Sequence, residues 1–217
     1  IENFLNSEDV SNTIKALISM GVKIKEENNK IFIQGKGLNS LKKPNGDIYL
    51  GNSGTSARLL TGLLSSQKFD TTLTGDTSLS SRPMKRIADP LKMMGAKIIT
   101  NDGKMPIRIE GSELKSSEIE IEIPSAQIKS GIILAALNTE GTTKIIEHNI
   151  TRDHTEIMLE AFNADIDLEN NGSKKIIQIH GKKELIAKNI TVPSDLSSSA
   201  FFIVAALINE NSKILLK

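Results

Sequence analysis

A period of close to seventy residues runs along this chain, and it leaves few folds open because each period mixes helices with strands. Three stretches begin with small polar residues and turn apolar: "NSGTSARLLTGLL" from Asn52, "PSAQIKSGIILAAL" from Pro124 and "PSDLSSSAFFIVAAL" from Pro193. Pro124 and Pro193 stand 69 residues apart. A second helical type, charged and amphipathic, closes on a small residue in "SEDVSNTIKALISMGVKI", "SSRPMKRIADPLKMMGAKI" and "TRDHTEIMLEAFNADIDL". Gly21 and Gly95 lie 74 residues apart, Gly95 and Asn163 68. Gly and Asn tolerate the left-handed conformation that ends helices, so all three are expected C-terminal stops.

Strands fill the intervals. "VKIKEENNKIFIQG", "AKIITNDGKMPIRIEG" and "DIDLENNGSKKIIQIHG" alternate around Asn and Gly clusters and predict hairpins. "DIYLG", "EIEIEIP" and "NITVP" lead into the polar-start helices, and "TTLTG" or "TKIIEH" separates the two helix types. Each unit therefore reads strand, helix, strand, helix, strand, strand, an α/β chain of sheets covered by helices. No low-complexity linker interrupts it, so a domain boundary is expected at a short crossover near Lys188 to Ser194.

Twenty-seven basic and 26 acidic residues leave a net charge of +1. Such a chain has no global field to draw it to nucleic acid or a membrane surface, and any anion site must be local. The absence of cysteine excludes disulfides, thiolate nucleophiles and zinc ribbons within the chain. "GIILAALN" and "AFFIVAALI" fall short of the roughly twenty apolar residues a bilayer span needs. Neither end carries a charged, then apolar, then cleavable leader. A cytoplasmic protein is the expectation. The chain starts at Ile1 without methionine and stops at Lys217 inside the strand-like "KILLK", so both ends are expected to be cuts through a longer protein.

"GNSGTSARLL", residues 51 to 60, places two glycines, an asparagine and three hydroxyl residues before an apolar run. The first helical turn has unpaired N–H groups and partial positive charge, so a glycine-rich entry admits an anion to the backbone. Asn52, Gly54, Thr55 and Ser56 would supply donors and Arg58 a fork-shaped cation. Ordinary capping with a turn glycine is the competing reading, and the stretch matches neither a Walker A loop nor a Rossmann fingerprint. In "SSRPMKR", Pro83 is expected in a first helical turn with Arg82 just before it, where a cation opposes the helix dipole. Arg82 is then either a solvated charge or one that faces a phosphate.

"PSAQIKS" repeats the capping chemistry at Ser125 and adds Gln127 and Lys129. "TRDHTE" offers Arg152, Asp153 and His154, with Thr151 and Glu156 near capping-box spacing. Asp153 and His154 read as a cap and a surface histidine before any acid–base role. His148, His154 and His180 lack metal-ligand spacing, so no metal is expected. "PSDLSSSAFF" reads as structural capping, and the Met93–Met94 pair and the Ile, Leu and Ala faces as core.

In order, "GNSGTSARLL", "TGDTSLSSRPMKRIADPLKMMGA", "PSAQIKSGIILAAL" and "TRDHTEIML" resemble the EPSP synthase family over all 217 residues, in its class II bacterial branch. The resemblance implies an inverse α/β domain, one lobe of a two-lobe enzyme, with residues 1–190 in the first lobe and 191–217 opening the second. It implies enolpyruvyl transfer from phosphoenolpyruvate to the 5-hydroxyl of shikimate 3-phosphate in the shikimate pathway, with release of phosphate and no cofactor. The full-length enzyme is then a monomer with small-molecule substrates and no nucleic acid or membrane partner. By motif, Asn52, Gly54, Thr55, Arg82 and Gln127 correspond to the phosphoenolpyruvate contacts. Ser125, Ala126 through its backbone, Gln127 and Arg152 correspond to the shikimate 3-phosphate wall. Gln127, shared by both, is the catalytic assignment within this chain.

The family's "K-S-x-S-x-R" helix is expected before Ile1, and most of the second lobe, with its catalytic carboxylates and carboxylate-binding arginines, after Lys217. The 217 residues alone are therefore expected to be inactive. Two other readings stand beside this one: the sister enolpyruvyl transferase acting on UDP-N-acetylglucosamine, whose usual catalytic cysteine is missing here, and a non-catalytic anion-binding domain.

Overall fold

A computed structural model describes residues 1–216, and Lys217 lies outside them. The chain divides into two units. The larger takes residues 5–25 and 33–188, and the smaller 1–4, 26–32 and those from Asn189 onward.

The elements follow the repeat. A partial unit comes first: α1 (Glu8–Ser19), β1 (Lys23–Glu27) and β2 (Lys30–Gln34), the two strands forming a hairpin. The next unit is β3 (Ile48–Tyr49), α2 (Gly54–Ser65), β4 (Thr71–Thr74), α3 (Thr77–Ser81), α4 (Lys85–Met93), β5 (Lys97–Asn101) and β6 (Lys104–Glu110). Another follows as β7 (Glu118–Ile121), α5 (Ala126–Leu137), β8 (Thr142–Glu147), α6 (His154–Ala161), β9 (Ile166–Asn171) and β10 (Lys174–His180). Last comes α7 (Leu196–Ile208).

The two complete units build the same sheet. Strand order is β3-β4-β6-β5 in one and β7-β8-β10-β9 in the other. In each, the first pair is parallel and the rest antiparallel. Register puts apolar residues opposite one another, Leu73 against Ile107 and Ile145 against Ile177. Alternation then sends one face inward: Met105, Ile107 and Ile109 are buried while Lys104, Pro106 and Arg108 are exposed. Gly21, Gly95 and Asn163 all have positive φ, as the helix-stop reading requires, and so do both residues of the Asn28–Asn29 and Asp102–Gly103 turns.

The helices α2 and α5 cross the middle of the larger unit, and α5 is apolar enough on all sides that most of its residues are buried. Their contact is backbone on backbone. A Cβ on Gly62 would overlap the Gly131 carbonyl, and one on Gly131 would come within 2.8 Å of the Arg58 carbonyl oxygen. With side chains absent there, the two helix starts are drawn together.

Several expectations need correction. Pro83 does not open a helix: α3 ends at Ser81, Arg82 is its C-cap, and α4 starts at Lys85. At a C-terminus a cation is favoured by the dipole, so the predicted local cost at Arg82 disappears. Of the methionine pair only Met94 is core, because Met93 is 65 % exposed. "NITVP" makes a single bridge, Thr191 with Glu2, and residues 213–216 carry no regular element. The smaller unit contains α7, in which no residue is buried and Phe201 is 82 % exposed, so its apolar faces are not core within this chain. Asp195 does cap it, accepting from the Ser197 N–H at 2.9 Å. Among the described residues no helix is long and apolar enough to cross a membrane.

Candidate active site

The site assembles at the start of α2. Ser53, not Asn52, is the N-cap, accepting from the Ser56 N–H at 3.2 Å. That leaves the Asn52 side chain free to turn outward. Its Nδ2 donates to Asp76 Oδ2 at 2.8 Å, and its Oδ1 accepts from Arg82 Nη2. Asp76 is itself fixed as the N-cap of α3, accepting from the Leu79 N–H at 2.7 Å. Those two hydrogen bonds, backbone first and Asn52 second, hold the Asp76 carboxyl below its ordinary pKa against the opposing effect of desolvation. A row Asp76–Asn52–Arg82 thus aims one guanidinium at the first turn of α2.

A second row comes from the other side. Arg58, one turn into α2, folds back so that Nη1 donates to the Gly54 carbonyl at 3.2 Å and to Gln127 Oε1 at 2.7 Å. Gln127 Nε2 donates onward to Thr55 Oγ1 at 2.8 Å. Gln127 reaches across because it stands in the first turn of α5, whose N-cap Ser125 accepts from the Ile128 N–H at 3.4 Å. Ser125, Ala126 and Gln127 are all half-buried.

Gly54 lies between the rows. A Cβ there would sit 2.9 Å from Arg58 Nη1 and 2.9 Å from Arg82 Nη1, so a side chain at this position would make both guanidinium groups shift from where they close over the helix start. Burial, followed by the like charges of Arg82 and Arg86, pushes Arg58 below the ordinary guanidinium pKa. Two guanidinium groups crowded beside the electropositive end of a helix repel each other, and an anion placed between them relieves that repulsion. The arrangement suits a phosphate or carboxylate.

Structure therefore brings Asn52, Gly54, Thr55, Arg82 and Gln127 together, with Ser125 and Ala126 beside them on the same turn as Gln127. Arg152 stands apart. It is exposed just before α6, and no hydrogen bond or ion pair among the described residues joins it to the others. The capping box proposed for "TRDHTE" does not form: Asp153 is the N-cap position but makes no side-chain cap bond, while Thr151 and Glu156 point elsewhere. His154 is exposed. His148 and His180 sit beside Glu120 and Asp167 at 3.3 and 2.9 Å.

Reading the sequence did not single out Asp76, although "GDTSL" has a capping residue at a helix start that signals at least its local role. It also missed a fully buried ionic cluster behind α5. Lys129 Nζ lies 3.0 Å from Glu147 Oε2 and 2.8 Å from Glu156 Oε1, and Lys175 Nζ 3.1 Å from the same Glu156 oxygen. Glu147 and Lys175 are cross-strand partners in the β8–β10 register. Nothing in the local pattern marks these four as a group, since they come from four elements.

The family model described as EPSP synthase (3-phosphoshikimate 1-carboxyvinyltransferase) matches residues 1–217. The 3-phosphoshikimate 1-carboxyvinyltransferases of Lactococcus lactis subsp. cremoris (strain SK11) and Ruthia magnifica are 45 % and 49 % identical to it, each over 100 % of the chain and 50 % and 49 % of their own lengths. A solved EPSP synthase from Acinetobacter baumannii superposes with a TM-score of 0.85 at 48 % identity, over 96 % of this chain and 47 % of that one. The chain spans about half the length of the curated relatives it matches. Its inverse α/β architecture, its repeated units and the family match over every residue lead to one conclusion: the chain belongs to the EPSP synthase family.

Proposed function

We propose that this chain supplies one half of a site that transfers the enolpyruvyl group of phosphoenolpyruvate to the 5-hydroxyl of shikimate 3-phosphate, releasing phosphate. The reading rests above all on the two arginines that close over Gly54 at the start of α2. The phosphate of phosphoenolpyruvate takes the place between Arg82, Arg58 and the first N–H groups of α2, with Asn52 and Thr55 as flanking polar groups. Negative charge builds on that phosphate as the tetrahedral intermediate expels it, so donors already held in place by Asp76, Asn52 and Gln127 lower the barrier without reorganising. Ser125, the Ala126 backbone and Gln127 face the shikimate 3-phosphate, and Arg152 approaches its phosphate from the start of α6. Gln127, bonded to both Arg58 and Thr55, lies where the two substrates meet.

In this reading residues 1–190 belong to the first lobe and 191–217 open the second, which fits an α7 that is apolar and without buried residues. The whole protein then works as a monomer, which rests on the family resemblance, and in the cytoplasm, the expectation a chain without cysteine carries. A UDP-sugar acceptor is disfavoured by the absence of cysteine.

Steady-state kinetics of the full-length protein test the proposal. Arg82→Ala is expected to raise the KM for phosphoenolpyruvate about 10- to 100-fold, the loss of a charge-assisted hydrogen bond to phosphate. A KM for phosphoenolpyruvate that Arg82→Ala leaves unchanged contradicts it.

A further inference from the structure

The ionic cluster behind α5 is not used by the proposed reaction, yet its geometry ties it to one residue that is. Lys129 is fully buried, as are Glu147 and Glu156, and Lys175 is 4 % exposed. Burying four charges is expensive, and apolar residues of similar volume would often serve stability as well or better. What the cluster does that apolar residues cannot is bond in fixed directions. Glu147 is the last residue of β8 and Glu156 lies in the first turn of α6, so the single ammonium of Lys129 joins both ends of the connection that carries residues 148–153. The second oxygen of Glu147 accepts from the Thr151 hydroxyl, which pins the middle of that connection as well. Ser130, next to Lys129, shares a 2.7 Å hydrogen bond with Thr155 on α6. Arg152 directly follows the pinned Thr151 and has no polar contact of its own among the described residues.

Successive residues of a helix are turned by about 100°, so Gln127 and Lys129 face different ways from the same turn of α5. Gln127 reaches the arginines over Gly54, and Lys129 reaches the connection that carries Arg152.

We infer that Lys129, through Glu147 and Thr151, is a positioning residue for Arg152: it fixes the β8–α6 connection so that this exposed guanidinium is held toward the shikimate 3-phosphate before the substrate arrives. The inference rests on the reading of Arg152 given above. Preorganising one contact group should act on the affinity for that one substrate and little on the chemical step.

The test is a double-mutant cycle in the full-length protein, with shikimate 3-phosphate affinity measured by calorimetry beside steady-state kinetics. Lys129→Met and Thr151→Val are each expected to weaken shikimate 3-phosphate binding about tenfold. The KM for phosphoenolpyruvate and kcat at saturation should change by less than about twofold. Thr151→Ser, which keeps the hydroxyl, restores binding. In an Arg152→Ala background neither substitution should weaken binding further. Thr151→Val keeps all four charged residues of the cluster, so it tests the link from Glu147 to the Arg152 connection even if Lys129→Met prevents folding. If Arg152→Ala weakens binding but Thr151→Val does not, the positioning role is overturned and the reading of Arg152 survives. Equal losses from Thr151→Val with and without Arg152 overturn it too, because the effect would then be general. If Arg152→Ala itself leaves binding unchanged, both this inference and the assignment of Arg152 fail.

Discussion

At Gly54 the absence of a Cβ lets two guanidinium groups lie over one helix start where they are. Gly54→Ala places a methyl 2.9 Å from each Nη1, so both arginines must withdraw by a few tenths of an ångström or more. We expect the substitution to raise the KM for phosphoenolpyruvate in the full-length protein about tenfold with little change in thermal stability, read by kinetics and a melting curve side by side. Asp76 makes a prediction in pH. Its folded pKa is lowered, so what it adds to stability is present above the ordinary carboxylate value and is lost as pH falls through the folded one. The Asn52–Arg82 arrangement should therefore be insensitive to pH between about 5 and 8 and weaken only below about 4. Comparing denaturation midpoints of the parent and Asp76→Asn across that range checks the sign: the gap between them should close in acid.

The helices α2 and α5 meet where Gly62 lies against the Gly131 carbonyl, and this close approach lets Gln127 span to Arg58 and Thr55. Gly62→Ala must push the helices apart, an overpacking that costs about 1–3 kcal/mol. Urea unfolding should show that loss, and the wider spacing should also lower substrate affinity by breaking the Gln127 bridge. Loss of stability with unchanged affinity would mean that the bridge is not set by the helix spacing. On the far side of α5, removing the charge of Glu156 leaves two buried ammonium groups short of a partner, a change worth about 3–5 kcal/mol. A melting curve of Glu156→Gln measures it.

For the molecule as a whole, the expectation is that the 217 residues alone release no phosphate from the two substrates together, because the chain spans about half the length of its relatives. A colorimetric phosphate assay on the purified chain decides this, and turnover there would mean that the site is complete within these 217 residues. A hydrogen-exchange experiment on the same sample should find α7 exchanging far faster than α5, since none of the α7 side chains is buried and most of α5 is.

Much of this architecture was legible in the sequence. The seventy-residue period, the order of elements, the helix stops at Gly21, Gly95 and Asn163 and the donor-rich helix starts all follow from local physics: side-chain periodicity, capping and the left-handed tolerance of Gly and Asn. Such rules act within a few residues, so they failed where a boundary depended on neighbours, as at Pro83, or where burial depended on packing, as at Met93 and α7. Tertiary structure alone decided that Arg82 would be aimed by Asn52 and Asp76, that Arg58 would meet Gln127 from 69 residues away, and that Lys129 would pair with Glu147 and Glu156 rather than face solvent. The reason is one of range: a hydrogen bond or buried ion pair forms only at a few ångströms, and which side chains come that close is set by how the helices pack, here by two glycines that let α2 and α5 touch.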